Sequence, residues 1–216
     1  MKYKCLVFDH DDTVVNSTAT IHHPCFQSYL RLKYPGRTCS FEEYMEKNFD
    51  PGFVRMCIDE YGMDESEIEE EARYWNSYVQ NHIPQAYEGI RELMERHKAG
   101  GGLVCVSSHS MAANIRRDYA ANALPQPDAV YGWELPMELR KPSPYALYEI
   151  MQKFSLDPSE ILMIDDLKPG FDMANAAGVD FAGVGWSCEV ASIESFMRSR
   201  CKHYFKTVSE LEAFLA

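Results

Sequence analysis

Hydrophobic residues recur along this chain in two rhythms. From Tyr3 to Phe8 only Lys4 is polar, and Cys5-Leu6-Val7-Phe8 is a continuous apolar run, the pattern of a strand buried on both faces of a parallel sheet. Short runs of the same kind return at Leu103 to Val106, Ala129 to Tyr131, Ile161 to Ile164, Phe181 to Val184 and Tyr204-Phe205. Between them the spacing turns helical, over Glu88 to Lys98, over Pro144 to Phe154, and in a segment closing at Ala176-Ala177-Gly178. A last helix starts at Ser209, and Gly100-Gly101-Gly102 separates the first helix from its strand. Strands alternating with helices predict an α/β fold, a doubly wound Rossmann-like parallel sheet covered on both faces.

Residues 18–84 break that alternation. Ser40 with Glu43 and Ser66 with Glu69 have capping-box spacing and predict two helix starts. Phe53, Val54, Cys57, Ile58 and Tyr61 share a helical face that stops at Gly62. Ile68, Ala72, Trp75 and Val79 share another, on a helix whose opposite face is rich in glutamate. No strand-like run lies between Asn16 and Pro84. The spacing therefore predicts an α-helical cap over 18–84, inserted into an α/β core of 1–17 and 85–216. His22 and His23 read as part of the first cap helix, and Trp75 as a cap-core residue.

Composition narrows the function. The chain has 216 residues and a net charge of −12, which excludes a nucleic-acid partner because phosphates need a basic stripe. A small phosphorylated ligand stays possible, since a bound divalent ion reverses the local field. Seven cysteines show no CxxC and no regular spacing, so neither a zinc site nor a disulfide framework is indicated. No apolar stretch reaches the roughly 18 residues of a membrane span, and MKYKCLVFDH enters a strand without a signal peptide. The expectation is a cytoplasmic protein with no membrane partner. Nothing in the pattern speaks to oligomeric state.

Doubly wound sheets bind ligands outside the carboxyl ends of their strands. Four polar groups fall there from distant parts of the sequence: Asp9 to Thr13, Ser107-Ser108, Arg140-Lys141-Pro142 and Asp165-Asp166. Three carboxylates within Asp9-His10-Asp11-Asp12 repel one another unless a cation or proton offsets them. Asp9 suits a nucleophile or metal ligand, and Asp11 can exchange a proton with a leaving group. Asp165 and Asp166 add the hard oxygen ligands that Mg²⁺ prefers. Ser107 offers a hydroxyl and Lys141 an ammonium to phosphoryl oxygens. Ser108 is a further phosphate contact in the same loop.

The order of these motifs resembles the haloacid dehalogenase-like superfamily, in its phosphatase branch with a helical cap between the first and second motifs. Asp9-His10-Asp11-Asp12-Thr13 matches D-x-D-x-T, and Ser107 matches the strand-end Ser or Thr. Lys141-Pro142-Ser143-Pro144 matches K-P-x-P, and Asp165-Asp166 with Gly170 and Ala176-Ala177-Gly178 matches the acidic pair and its helix. The resemblance implies an aspartyl-phosphate on Asp9 and general acid/base work by Asp11. It also implies Mg²⁺ held by Asp9, the backbone carbonyl of Asp11, Asp166 and Asp165. The substrate it implies is a small phosphorylated metabolite. A sugar phosphomutase is the neighbouring chemistry on the same scaffold, and a phospho-aspartate signalling protein is the rival from another class. Two positions depart from the pattern. Asp12 replaces a glycine that needs a permissive backbone, and Asn16 replaces a common Asp.

Overall fold

The computed structural model describes residues 2–187 and 189–216. Two compact units emerge, one from Met1–Asn16 with Gln85–Ala216 and one from Ser17–Pro84. In chain order the elements are β1 (Cys5–Phe8), β2 (Val15–Asn16), α1 (His23–Lys33), α2 (Phe41–Phe49), α3 (Phe53–Tyr61) and α4 (Glu65–Val79). Then come β3 (Gln85–Ala86), α5 (Ile90–Ala99), β4 (Leu103–Ser107), α6 (Ala112–Ala121), β5 (Ala129–Tyr131) and α7 (Tyr145–Phe154). The chain closes with β6 (Ile161–Asp165), α8 (Lys168–Ala177), β7 (Asp180–Val184), α9 (Ala191–Arg200), β8 (His203–Phe205) and α10 (Val208–Leu215).

Six parallel strands form the main sheet in the order β5-β4-β1-β6-β7-β8. The chain builds outward from β1 on one side, returns, and builds outward on the other, so β1 is the switch point. Register aligns the strand ends there, because Phe8 lies opposite both Val106 and Ile164. Asp9, Ser107 and Asp165 are therefore neighbours by strand pairing alone.

Leu6 and Phe8 face a cluster with Ile90, Leu93 and Met94 of α5, Ile115 and Tyr119 of α6, and Leu211 of α10. Cys5, Val7, Cys105 and Met163 are equally buried, and α8 packs on β6 and β7. Burying a side chain of Leu or Phe size stabilises the fold by about 1.5–3 kcal/mol before entropic costs. β2 and β3 pair antiparallel, Val15 with Ala86 and Asn16 with Gln85, in a two-residue ribbon. Asn16 thus sits where the chain passes from one unit to the other.

Two helices, α6 and α9, were not legible in the apolar pattern. In α6 only Ile115 and Tyr119 among the larger apolar residues are buried, and alanines fill the rest, so little periodic contrast exists. The start of α4 also lies earlier than Ser66. Asp64 is the cap: it accepts the Glu67 N–H at 2.9 Å, and the Glu67 carboxylate accepts the Asp64 N–H at 3.0 Å. The Ser40 and Glu43 box opens α2 as its spacing predicts.

The helical unit packs on aromatics. Phe26 meets Tyr44, Phe53 and Tyr61 with ring centroids 5.6, 5.4 and 5.5 Å away. Tyr29, Leu30, Met56, Cys57 and Met63 complete that core. Trp75 is half-buried, and its Nε1–H donates to His22 Nδ1 at 2.9 Å. Glu71 lies inside the unit at 4% exposure, and burial pushes its carboxyl up to about 7 although His22 pulls it back. Among the described residues no helix is long and apolar enough to cross a membrane.

Candidate active site

β1 ends in a turn whose backbone is closely held. The Asp9 N–H continues the ladder to the Ile164 carbonyl at 2.8 Å, and Asp12 N–H donates to Val15 O at 2.8 Å. Asp12 takes a left-handed φ of 59°. A glycine would adopt that conformation at no steric cost, while a non-glycine residue is strained there by about 1 kcal/mol, least when it is Asn or Asp. Asp12 thus adopts the left-handed conformation that favours glycine.

Lys141 makes the central contact. Its Nζ donates to Asp9 Oδ1 at 2.6 Å and to Asp165 Oδ2 at 2.7 Å, with all three side chains nearly sealed from solvent. Asp166 joins them: one carboxylate oxygen from each of Asp9, Asp165 and Asp166 lies within 4.8 Å of the others. Thr13 Oγ1 donates to Asp166 Oδ1 at 3.3 Å, and Leu167 N–H donates to Asp165 Oδ1 at 2.8 Å. A Cβ at Gly170 would overlap the Asp165 carboxylate, so only glycine lets α8 approach this closely.

Charge balance explains the titration of the cluster. Burial raises the Asp9 carboxyl most; Lys141 opposes the shift, Asp165 and Asp11 add to it, and the group is pushed up to about 7. Asp166 is raised well above the usual carboxylate range by burial, then by the charges of Asp12, Asp165 and Asp9. Burial works against the Lys141 ammonium, yet Asp165 and Asp9 more than offset it and its pKa rises. One ammonium cannot neutralise three buried carboxylates. The donor set is all oxygen, anionic and short by positive charge, which fits a hard divalent cation such as Mg²⁺.

Asp11 is half-buried beside this cluster. Ser110 Oγ donates to its Oδ2 at 2.6 Å, and Ser108 Oγ lies 3.4 Å from the same oxygen while accepting the Ser110 N–H at 3.0 Å. Ser108 is thus brought to Asp11. Ser107 is buried at the end of β4, where its Oγ faces Met173 Sδ at 3.9 Å. His109 Nε2 donates to the Lys141 carbonyl at 3.1 Å and ties the β4–α6 loop to the lysine segment. Asp172 pairs with Lys168 at 3.0 Å on the flank of α8.

Sequence reasoning passed over Ser110, although the run Ser107-Ser108-His109-Ser110 at a strand end was its signal. It also passed over His10, which is 1% exposed and bonded through Nε2 to Asp118 Oδ2 at 3.1 Å. No local pattern links residues 108 positions apart.

An α/β sheet with carboxylates, a bridging lysine and hydroxyls at its switch point is the architecture of a hydrolase acting at strand ends. A family model described as haloacid dehalogenase-like hydrolase matches residues 6–184. The chain belongs to that family, and its likeness to curated proteins places it with the phosphatases. It is 23% identical over 207 residues to a phosphoglycolate phosphatase of Haemophilus influenzae, covering 90% of this chain and 92% of that protein. It is 24% identical over 191 residues to the pyrophosphatase PpaX of Bacillus cereus, covering 87% and 85%. The fold also superposes on a predicted phosphoglycolate phosphatase from Haemophilus somnus with a TM-score of 0.78 at 20% identity, covering 100% of this chain and 99% of the other.

Proposed function

We propose that the protein is an Mg²⁺-dependent phosphohydrolase that cleaves a small phosphorylated metabolite through an aspartyl-phosphate on Asp9. The observation that carries this reading is Lys141 bridging Asp9 and Asp165 at 2.6 and 2.7 Å. A lysine there opposes the upward shift that burial and the neighbouring carboxylates impose on Asp9, and it aims the carboxylate as a nucleophile must be aimed. Asp9, Asp165, Asp166 and the Asp11 backbone carbonyl would hold the ion. When bound, Mg²⁺ offsets the charge shared by the carboxylates and the phosphoryl oxygens.

The residues then divide the work. An Asp9 oxygen attacks phosphorus, and the bond from phosphorus to the leaving oxygen breaks as the aspartyl bond forms. Asp11 gives its proton to the leaving oxygen, with Ser110 fixing the rotation of its carboxyl group. In the second half, water attacks the same phosphorus and yields its proton to Asp11. The bond to Asp9 breaks, inorganic phosphate leaves and both side chains are restored. Lys141, Ser107 and Ser108 serve the phosphoryl oxygens in this scheme. Dehalogenation needs no acid at Asp11, so the two serines arranged on Asp11 favour phosphoryl transfer.

The helical unit Ser17–Pro84 is the cap in this reading. Buried free thiols at Cys5, Cys25, Cys39, Cys57 and Cys105 suit a reducing, cytoplasmic setting. The names of the relatives suggest phosphoglycolate and pyrophosphate as first members of a substrate panel. Released phosphate should be measured for that panel with Mg²⁺, with EDTA, and with Mg²⁺ restored. Turnover that is lost in EDTA and recovered with the ion supports the reading. Metal-independent turnover would remove Asp165 and Asp166 from it, and isomerisation of a sugar phosphate without phosphate release would make the protein a mutase.

A further inference from the structure

The x position of the Asp9-x-Asp11 motif holds a histidine whose side chain the proposed reaction does not use. Successive residues at the end of a strand point to opposite faces, so His10 turns away from the carboxylates on either side of it. It lies in the interior at 1% exposure, with Asp118 of α6 at 4%. Its Nε2 is 3.1 Å from Asp118 Oδ2. A carboxylate only accepts, so the proton of that bond belongs to Nε2. The other Asp118 oxygen, Oδ1, is held by Arg117 through Nε at 2.8 Å and Nη2 at 2.7 Å. Tyr119 stacks on the imidazole with centroids 5.9 Å apart. On the main chain, the His10 carbonyl accepts N–H groups from Val14 at 3.0 Å and Val15 at 3.1 Å.

His10 is therefore anchored at both its side chain and its carbonyl, between two residues that must point accurately. We propose that His10, clamped by Asp118 and Arg117, is a positioning residue that fixes the peptide planes of Asp9 and Asp11 for the reaction. The inference rests on the proposed phosphohydrolase for its kinetic arm. An apolar residue would fill the space equally well, and a buried polar chain ending in a surface arginine has no packing advantage over it. What the chain adds is direction. It ties the reactive turn to α6 through the Nε2–Asp118 bond, and it resists relaxation of the strained Asp12 conformation that follows.

The test compares His10→Leu, His10→Gln and Asp118→Leu with the wild type in the full-length protein. Glutamine can return an N–H to Asp118, whereas leucine only fills volume. The expected result is a fall in kcat of about 10- to 100-fold for His10→Leu, the scale of a small misplacement of reacting groups. KM should stay within about threefold, since the groups that bind phosphate are untouched. His10→Gln should recover most of kcat, and Asp118→Leu should match His10→Leu. Independently of activity, amide exchange at Val14 and Val15, whose N–H groups donate to the His10 carbonyl, should quicken by about tenfold or more in the two leucine variants, because that carbonyl anchor loosens.

Unchanged kcat with unchanged exchange in His10→Leu overturns the proposal. Equal loss in the glutamine and leucine variants, tracking the fall in Tm, also overturns it and makes His10 packing alone. A wild type that hydrolyses nothing in the panel refutes the phosphohydrolase reading, and the exchange measurement then decides by itself whether His10 orders the turn. Should His10→Leu fail to fold, Arg117→Met at the partly exposed end of the chain carries the same comparison.

Discussion

Each unit of this protein buries acidic side chains, and the two handle the charge in opposite ways. In the α/β unit Asp9 and Asp165 are brought to Lys141 from positions 132 and 24 residues away. Asp166 joins them as a third potential ligand. In the helical unit Glu71 is as deeply buried as Asp9, at 4% against 5% exposure. Its charge is felt by Cys25, Tyr44, Cys57 and Tyr29, none of which is a cation, and His22 alone draws its pKa downward. Both carboxyls are pushed up to about 7, but Asp9 has an ammonium at 2.6 Å and two further carboxylates within reach, a set of groups that suits a cation. Glu71 is surrounded by thiols, phenols and an imidazole, and is equipped to hold a proton. Burial is the same in both; only the partners separate a reactive cluster from a packing feature.

The sharpest way to break this contrast is Asp9→Asn. The change is nearly isosteric and removes one of three crowded carboxylates, so turnover should fall by about 10⁴-fold or more while Tm holds or rises. Phosphate release and thermal melting on the same preparation check it. A variant that keeps its activity would return Asp9 to the status of Glu71, a buried acid with no chemical task.

Glu71→Gln is the matching probe in the helical unit. Its carboxyl titrates near 7 in the folded chain against an ordinary 4.5. Folding therefore favours the protonated form, and the contribution is present in full below pH 4.5 and lost as pH rises through about 7. The loss amounts to about 3 kcal/mol at most. The wild-type unit should melt at a lower temperature at pH 8 than at pH 6, and Glu71→Gln should remove that difference and be the more stable protein at pH 8. Trp75 is the one tryptophan of this unit, so its fluorescence in a Trp133→Phe, Trp186→Phe background reports the transition. No pH difference between wild type and variant would mean that His22 or solvent balances the carboxylate after all.

The same contrast explains how much was legible in the chain. Chemistry confines Asp9 and Asp165 to strand ends and Lys141 to the segment that leads into α7, each with a fixed residue type, so their meeting could be read from order and spacing before any contact was known. The alternating core followed for the same reason, since a strand buried on both faces leaves an unbroken apolar run. The supports of the site were hidden. Asp118 and Arg117 lie on α6, a helix whose alanines masked its periodicity, and His10 meets them only in three dimensions. In the helical unit Asp64 displaced Ser66 as the cap because both head the same acidic stretch, and spacing alone does not choose between two boxes offset by two residues.

Ser110 is the hidden support with the smallest expected effect, and the nature of the leaving group can isolate it. Its Oγ holds Asp11 Oδ2 at 2.6 Å, so Ser110→Ala frees the rotation of a carboxyl that the proposed mechanism needs aimed. Loss of one such constraint should lower kcat by about tenfold, near 1.4 kcal/mol, with KM unchanged. The loss should depend on the substrate. An alkyl phosphate leaves as a strongly basic alkoxide and needs the proton, whereas p-nitrophenyl phosphate leaves as a stable phenolate and hardly does. Full impairment on the alkyl ester with near-normal turnover of the aryl ester would assign Ser110 to the acid step, and with it Asp11. Equal impairment on both would instead place the serine with the phosphoryl group, and would move the proton transfer away from Asp11.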